Sequence, residues 1–269
     1  MRASAPAKIN LALVVGPRRD DGRHELLTIY QRIAIADRIE VQRAAHLRVE
    51  GFVGDTLVRD ALRLLGERTD AIWSARIEKR VPVAAGLGGG SSDAATALRL
   101  ANATLDAPLA DRSLHELAAG LGADVPFFLS DGPQLGSGDG TTLAPLDLPQ
   151  DFWVLVVRPS GVHKDSTAAV YAHFDERGGA DGWDERRGAL LAALERVRRP
   201  RDLAGLPAND LASSPLADAL RTHGAFRADV SGAGPAVYGL FHHKRHAEAA
   251  QRALKRIGRT WLTAPAWYG

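Results

Sequence analysis

The 269-residue sequence contains no cysteine. This absence excludes a disulfide scaffold, a zinc site built on thiolates and a cysteine nucleophile. No run of apolar residues approaches the ~20 that a membrane-spanning helix needs. The first fifteen residues are too short and too polar for a secretory signal peptide, and Lys8 interrupts them. We therefore expect a cytoplasmic protein without a membrane partner.

A large excess of one charge is also missing, since the formal net charge is only +2. Arginine clusters at 186–187 and 196–201 are interleaved with or flanked by acidic residues. A nucleic-acid-binding stripe would lack such compensating acids. We interpret the clusters as solvated helix faces of mixed charge and expect no nucleic-acid partner.

Hydrophobic periodicity predicts an α+β chain, in which strands and helices mix in both halves. Alternation over residues 7–13 predicts a strand that places Lys8 and Asn10 on one face. Further strands are expected at 33–41, 77–83, 153–157, 236–241 and from 261 onward. Helical spacing predicts helices at 56–68, 93–105, 111–121, 184–199 and 245–257. The proline-bearing stretch at 144–149 indicates a boundary, which gives domains 1–148 and 149–269.

A glycine-rich segment, Gly86 to Ser92, is the most informative stretch of the chain. Four of its residues are glycines, at 86, 88, 89 and 90, so a ligand can approach the backbone closely. Successive N–H groups of such a loop form an anion-binding concavity. A helix that begins near Ser91 adds unpaired N–H groups and its positive dipole end, and both serines add hydroxyls. The segment therefore predicts a phosphate-binding loop.

Two better-known phosphate loops do not fit this segment. A Walker loop requires a lysine after the glycines, and none follows here. The dinucleotide-binding fingerprint requires glycine at position 91, which is serine. On local pattern alone, a flexible turn with Ser92 or Asp93 as helix cap remains the alternative.

The loop and its surroundings resemble the GHMP kinases. The resemblance implies a two-domain architecture with the active site in the inter-domain cleft. It also implies an ATP-dependent small-molecule kinase that uses Mg²⁺. The residues expected to bind ATP are Pro82, Gly86, Leu87, Gly88, Gly89, Gly90, Ser91 and Ser92.

Lys8 and Asp124 are the candidate catalytic residues. Lys8 interrupts an apolar strand, so its charge needs an anionic partner or must reach solvent by snorkelling. Asp124, before Val-Pro-Phe-Phe, suits either a proton acceptor or a helix N-cap. The family resemblance implies that the two side chains face each other beside the substrate hydroxyl, where the ammonium keeps the carboxylate ionised.

Within the family, the chain is similar to members that phosphorylate a cytidine diphosphate-linked sugar alcohol. Six motifs match in order, at 6–11, 21–26, 86–93, 122–127, 209–211 and 231–235. The likeness implies that Asn10 positions the sugar alcohol, that His24 hydrogen-bonds the cytosine, and that Thr167 and Tyr171 lie against the cytidine. Gly232 and Gly234 would form a turn that closes against the phosphate loop. Taken alone, His24 fits a surface or satisfied histidine, and 231–235 fits an ordinary turn.

Two positions depart from the family pattern. Arg23 stands where the family has a tyrosine that stacks on cytosine, and Thr56 stands where it commonly has an asparagine near the adenine. A guanidinium is planar and can also stack on a base, so we include Arg23 among the expected substrate-binding residues.

Two other functions stay open at this point. A GHMP-type kinase acting on another small alcohol is suggested by Arg23. A non-catalytic nucleotide-binding relative is disfavoured, because binding alone requires neither Lys8 nor Asp124. The histidines of 242–246 suggest a solvated helix start, and we expect no protein-built metal site. A homodimer is compatible with the sequence.

Overall fold

The computed structural model describes residues 1–162 and 166–266, which form an α+β chain with two β-sheets. The first sheet has six strands, and its central strand β2 pairs antiparallel with β1, β4 and β5, while β3 is parallel to β4. Its strands are β1 (Arg2–Arg18), β2 (His24–Arg43), β3 (Arg48–Glu50), β4 (Trp73–Glu78), β5 (Gln134–Gly138) and β6 (Thr142–Pro145).

The second sheet has four antiparallel strands in the order β10-β7-β9-β8. They are β7 (Trp153–Pro159), β8 (Arg227–Val230), β9 (Val237–Phe241) and β10 (Gly258–Thr263). The connection between the two sheets therefore crosses residues 146–152, around the predicted domain boundary at 148.

Seven helices cover the sheets in the described part of the chain. They are α1 (Leu57–Thr69), α2 (Gly89–Asn102), α3 (Asp111–Leu121), α4 (Thr167–Glu176), α5 (Trp183–Leu194), α6 (Pro215–Thr222) and α7 (Lys244–Leu254). Across residues 1–162 and 166–266, none of them is both long and apolar enough to cross a membrane.

Three larger hydrophobic cores hold these layers together. Helices α1, α2 and α3 bury their apolar faces against the first sheet, and α6 and α7 pack on the outer face of the second. The third core lies between the halves, where apolar residues of β1 and β2 meet those of β7 and β9. The cleft described below is thus framed by elements that are packed on one another.

Most predicted elements occur with shifted ends, and one predicted strand is wrong in its position. The strand expected at 77–83 is β4, which begins at Trp73 and stops at Glu78. The chain leaves the sheet there because the Asp37 carboxylate accepts the N–H groups of Arg80 and Val81 at 2.5 and 2.8 Å. A side chain thus replaces the strand partner that these amides would otherwise need. Helix α2 begins at Gly89, two residues before the start expected near Ser91 and four before the periodic stretch 93–105.

Arg32 fixes the turn that follows Asp124. Its guanidinium, 2% exposed, donates to the carbonyls of Phe127 and Phe128 at 3.3 and 2.9 Å and to that of Ser130. Burial lowers the pKa of Arg32 to about 10, so the group remains charged at neutral pH.

We expect Arg32→Met to lower the free energy of unfolding by about 2–4 kcal/mol, because three main-chain carbonyls lose their donor. Urea denaturation followed by circular dichroism measures this loss. Arg59→Met, on an exposed position of α1, is the matched control and should change stability by less than ~0.5 kcal/mol. Equal effects of the two substitutions would contradict a bracing role for Arg32.

Candidate active site

A cleft of 840 Å³ contains almost every predicted site residue. All of them line it except Ser92, which is fully buried beneath the loop, and Gly234. The phosphate loop forms one wall, β1 and β2 form the floor, and α4 closes the far end.

Lys8 and Asp124 form an ion pair in this cleft, with 3.2 Å between Nζ and Oδ2. The Lys8 side chain is 4% exposed and that of Asp124 is 32% exposed, so the carboxylate is the partner that faces the cleft. The snorkelling alternative for Lys8 is wrong. The helix-cap alternative for Asp124 is also wrong, because the short 3-10 turn after it is preceded by Val125 and has no side-chain cap.

A chain of hydrogen bonds fixes the direction of the Lys8 ammonium. Nζ donates to Asn10 Oδ1 at 2.7 Å, and Asn10 Nδ2 donates to Thr28 Oγ1 at 2.8 Å. Thr28 in turn donates to the carbonyl of Ala12 at 2.8 Å. The ammonium also lies 5.4 Å from the centroid of the Tyr30 ring. Asn10 thus directly holds Lys8, a contact that the alternation of β1 makes possible.

The glycines of the phosphate loop allow it to lie directly on Lys8. The Lys8 N–H donates to the carbonyl of Leu87 at 2.9 Å. Gly88 precedes α2 with φ +67°, and a Cβ there would lie 3.0 Å from both Lys8 Cγ and the Phe128 ring. The N-terminus of α2, whose first turn has unpaired N–H groups, therefore opens beside the Lys8–Asp124 pair.

The turn at 231–235 closes against this loop, and its two glycines lie in different places. Ser231 Oγ donates to the carbonyl of Gly86 at 2.9 Å, and a Cβ on Gly86 would lie 2.2 Å from the carbonyl oxygen of Ser231. Gly232 lines the cleft, where a Cβ would be 3.6 Å from Lys8 Nζ. Gly234 contacts the Gly86 side instead.

A second lysine, Lys79, lies partly buried under the start of α2. Its Nζ is 2.5 Å from Asp37 Oδ2 and 2.8 Å from Asp93 Oδ2, and both carboxylates are essentially buried. Burial, opposed by Lys79 and aided by the nearby Asp37 carboxylate, raises the pKa of Asp93 to about 8. Asp93 Oδ1 and Ser92 Oγ are buried without a hydrogen-bond partner among the described residues.

His24 lies at the opposite end of the cleft, 7% exposed, and is held by α4. Its Nε2 is 2.7 Å from Asp175 Oδ1, and its ring stacks on Tyr171 with centroids 4.8 Å apart and planes at 28°. Thr167 begins the same helix and lines the cleft. Burial raises the pKa of Tyr171 to about 12, so its phenol stays neutral. His24 is therefore not a surface histidine, but its contact with Asp175 agrees with the alternative of a satisfied histidine.

Arg23 lines this end as well, and its guanidinium forms an ion pair with Asp139. No sequence motif marked Lys79, Asp139 or Asp175 as site residues. Their partners are 42, 116 and 151 positions away in the chain, and no local pattern indicates such pairs. One local signal was available, since Tyr171 and Asp175 are spaced to share a helix face.

We expect Gly86→Ala to weaken nucleotide binding at least tenfold, because the added Cβ overlaps the Ser231 carbonyl and φ is +81°. Isothermal titration with an ATP analogue measures this. Gly132→Ala is the matched control, since Gly132 has φ +67° but open space around its Cβ position. If both variants lose the same amount, backbone strain alone is responsible and the loop contact is not.

The raised pKa of Asp93 predicts a pH effect on stability. Between about pH 4 and pH 8 the folded protein holds a proton that the unfolded chain releases, so the free energy of unfolding falls as pH rises. Asp93→Asn removes this titration. The melting temperature of the variant minus that of the wild type should therefore increase from pH 6 to pH 9. Asp106→Asn, at an exposed carboxylate, should follow the wild type. Parallel curves for Asp93→Asn and wild type would contradict the assignment.

The likeness of this chain to known proteins extends over nearly its whole length. The GHMP kinases N terminal domain matches residues 56–132, and the GHMP kinases C terminal family matches residues 205–260. The 4-diphosphocytidyl-2-C-methyl-D-erythritol kinase of Kineococcus radiotolerans is 40% identical, over 87% of this chain and 79% of the relative. The kinase of the same name from Pelobacter propionicus is 36% identical, over 97% of this chain and 96% of the relative.

Solved structures agree with the sequence relatives. A crystal structure of 4-(cytidine 5'-diphospho)-2C-methyl-D-erythritol kinase superposes with a TM-score of 0.79 at 34% identity, covering 99% of both chains. The Methanococcus jannaschii mevalonate kinase superposes with a TM-score of 0.75 at 13% identity, covering 99% of this chain and 98% of that one, and shows the fold alone. The chain therefore belongs to the GHMP family of ATP-dependent kinases, in the branch of the 4-diphosphocytidyl-2-C-methyl-D-erythritol kinases.

Proposed function

We propose that this protein transfers the γ-phosphoryl group of ATP to the 2-hydroxyl of 4-diphosphocytidyl-2-C-methyl-D-erythritol. The reaction belongs to the non-mevalonate (MEP) pathway of isoprenoid precursor biosynthesis. The observation that carries the proposal is the Lys8–Asp124 ion pair, which opens to the cleft between the phosphate loop and the His24–Tyr171 group. The names of the relatives support this choice of substrate.

The phosphate loop is the proposed seat of the ATP phosphates. The main chain from Gly86 to Ser91 and the N-terminus of α2 offer N–H donors and a positive dipole end. Pro82 and Leu87 line the same wall. Ser92, being buried and outside the cleft lining, supports the loop from beneath.

Mg²⁺ fits the residues that surround this loop. The ion usually binds through one or two protein oxygens together with substrate phosphates and water. Asp93 Oδ1 is buried, unpaired among the described residues and part of a side chain that lines the cleft. Asp93, bound as the carboxylate after it releases its proton, and the Ser91 hydroxyl would hold the ion, which supplies positive charge against the phosphate oxygens when bound.

Asp124 and Lys8 are the proposed catalytic residues. As the substrate oxygen bonds to the γ-phosphorus, the bond from that phosphorus to the bridging oxygen of ADP breaks, and the hydroxyl proton passes to Asp124. The Lys8 ammonium, 3.2 Å from Asp124 Oδ2, holds the carboxylate in place and offsets negative charge on the phosphoryl group. Asn10 orients the ammonium, and Gly232 leaves room beside it.

The other end of the cleft is the proposed cytidine site. Tyr171 offers an aromatic face, and His24, held by Asp175, offers a ring nitrogen. Thr167 adds a hydroxyl, and Arg23 adds a planar cation. Stacking of a base on an aromatic ring contributes about 1–3 kcal/mol to binding in single-stranded nucleic-acid sites. We expect cytosine stacking on Tyr171 to contribute a similar amount.

We expect Asp124→Asn and Lys8→Met each to slow turnover by about 10²–10⁴-fold while ATP affinity stays nearly unchanged. The assay combines MgATP with 4-diphosphocytidyl-2-C-methyl-D-erythritol, follows ADP release and identifies the phosphorylated product by mass. Asp106→Asn is the control that removes a carboxylate outside the cleft. Near-normal turnover of Asp124→Asn would remove Asp124 from the mechanism, and a wild type that binds ATP but leaves this substrate unchanged would refute the proposed substrate.

A further inference from the structure

Arg23 and Asp139 meet at the cytidine end of the cleft although they belong to different turns. Arg23 lies in the turn between β1 and β2, and Asp139 lies in the turn between β5 and β6. The pairing of Leu26 with Gly138 at the ends of β2 and β5 brings the two turns side by side. Both side chains line the cleft.

The Asp139 carboxylate is fixed before any ligand arrives. Its Oδ1 accepts from Thr141 Oγ1 at 2.6 Å and from the Thr141 N–H at 3.2 Å, while Oδ2 accepts from Arg23 Nη1. Burial raises the pKa of Asp139, but these hydrogen bonds and the Arg23 charge outweigh burial and hold the pKa below its usual range. Asp139 is 15% exposed, so it is the anchored partner, whereas Arg23 is 52% exposed.

Only one nitrogen of the Arg23 guanidinium is held by Asp139, so its other nitrogens can contact a ligand. Nη1 pairs with Asp139, while Nε and Nη2 make no hydrogen bond with the part of the chain that the structure describes. The next residue is His24, whose ring stacks on Tyr171. A planar cation tethered at one edge keeps its face open for stacking on an aromatic ligand.

We propose that Asp139 is a positioning residue for base recognition, which holds the Arg23 guanidinium as a flat platform for the cytosine of the substrate. This inference rests on the proposed function and adds a specificity element to it. A free arginine side chain loses rotamer entropy when it is immobilised on binding, and the ion pair removes that loss in advance. A tyrosine at position 23 would be rigid by itself and would need no such partner.

The test measures dissociation constants of CMP and CDP by isothermal titration for five proteins. They are the wild type, Asp139→Asn, Arg23→Tyr, the double variant Arg23→Tyr with Asp139→Asn, and Asp218→Asn. The last is the matched control, because Asp218 pairs with Arg221 at 2.6 Å on an exposed helix outside the cleft.

We expect Asp139→Asn to weaken CMP and CDP binding by the same factor, about three- to tenfold, and to raise KM for the kinase substrate without lowering kcat. The affinities of Arg23→Tyr for both nucleotides are the reference for the double variant. Adding Asp139→Asn to Arg23→Tyr should then have no further effect, and Asp218→Asn should match the wild type. Unchanged melting temperatures confirm that each protein is folded.

Three results would overturn the inference while the wild type still binds cytidine nucleotides. Unchanged affinity in Asp139→Asn would deny the positioning role. A change for CDP alone would assign Arg23 to the diphosphate instead of the base. An equal loss in the Arg23→Tyr background would show that Asp139 supports the turn and not the guanidinium. A wild type that binds neither CMP nor CDP would refute the proposed function itself and this inference with it.

Discussion

The buried charge of Lys8 is the constraint on which the rest of the site depends. An ammonium that is 3% exposed is stable only when a carboxylate and further acceptors surround it. Asp124 provides the charge, Asn10 provides the acceptor, and the Tyr30 ring covers a third side. The Arg32 contacts that hold the turn after Asp124 therefore matter to the site, because they keep the carboxylate within reach of its cation.

The site also requires that the backbone of the phosphate loop lie very close to its neighbours. The phosphate loop can lie on Lys8 only because Gly88 has no side chain, and it can touch the 231–235 turn only because Gly86 has none. These contacts join a loop of the first half of the chain to a turn of the second. The same interface is filled by the core between β1, β2, β7 and β9, so the cleft geometry is supported by apolar packing directly beneath it.

Features that depend on neighbouring residues in the chain were predicted from local sequence patterns. The helix expected at 56–68 is α1 at Leu57–Thr69, and the glycine segment and Lys8 were found without the structure. Helix α4 was not predicted because it has only ten residues, and its apolar stripe of Val170, Tyr171 and Phe174 covers little more than one turn. The early end of β4 depends on Asp37, more than forty residues away, and the partners of Arg23 and His24 are more distant still. Such contacts form only in the tertiary fold, and no pattern within a short stretch of sequence predicts them.

Lys8 and Lys79 both pair with carboxylates, but they differ in how far those carboxylates are exposed to the cleft. Gly88 and Gly89 are adjacent, and their Cβ positions face Lys8 and Lys79 at 3.0 and 3.3 Å. Lys79, whose side chain is 15% exposed, lies between two buried carboxylates and ties the start of α2 to β2. Lys8 has one carboxylate, and that carboxylate is one-third exposed to the cleft. Because the Asp124 oxygens are not all occupied by protein donors and the side chain is one-third exposed, they can accept a hydroxyl from a substrate, whereas the Asp93 side chain of the Lys79 cluster is only 2% exposed.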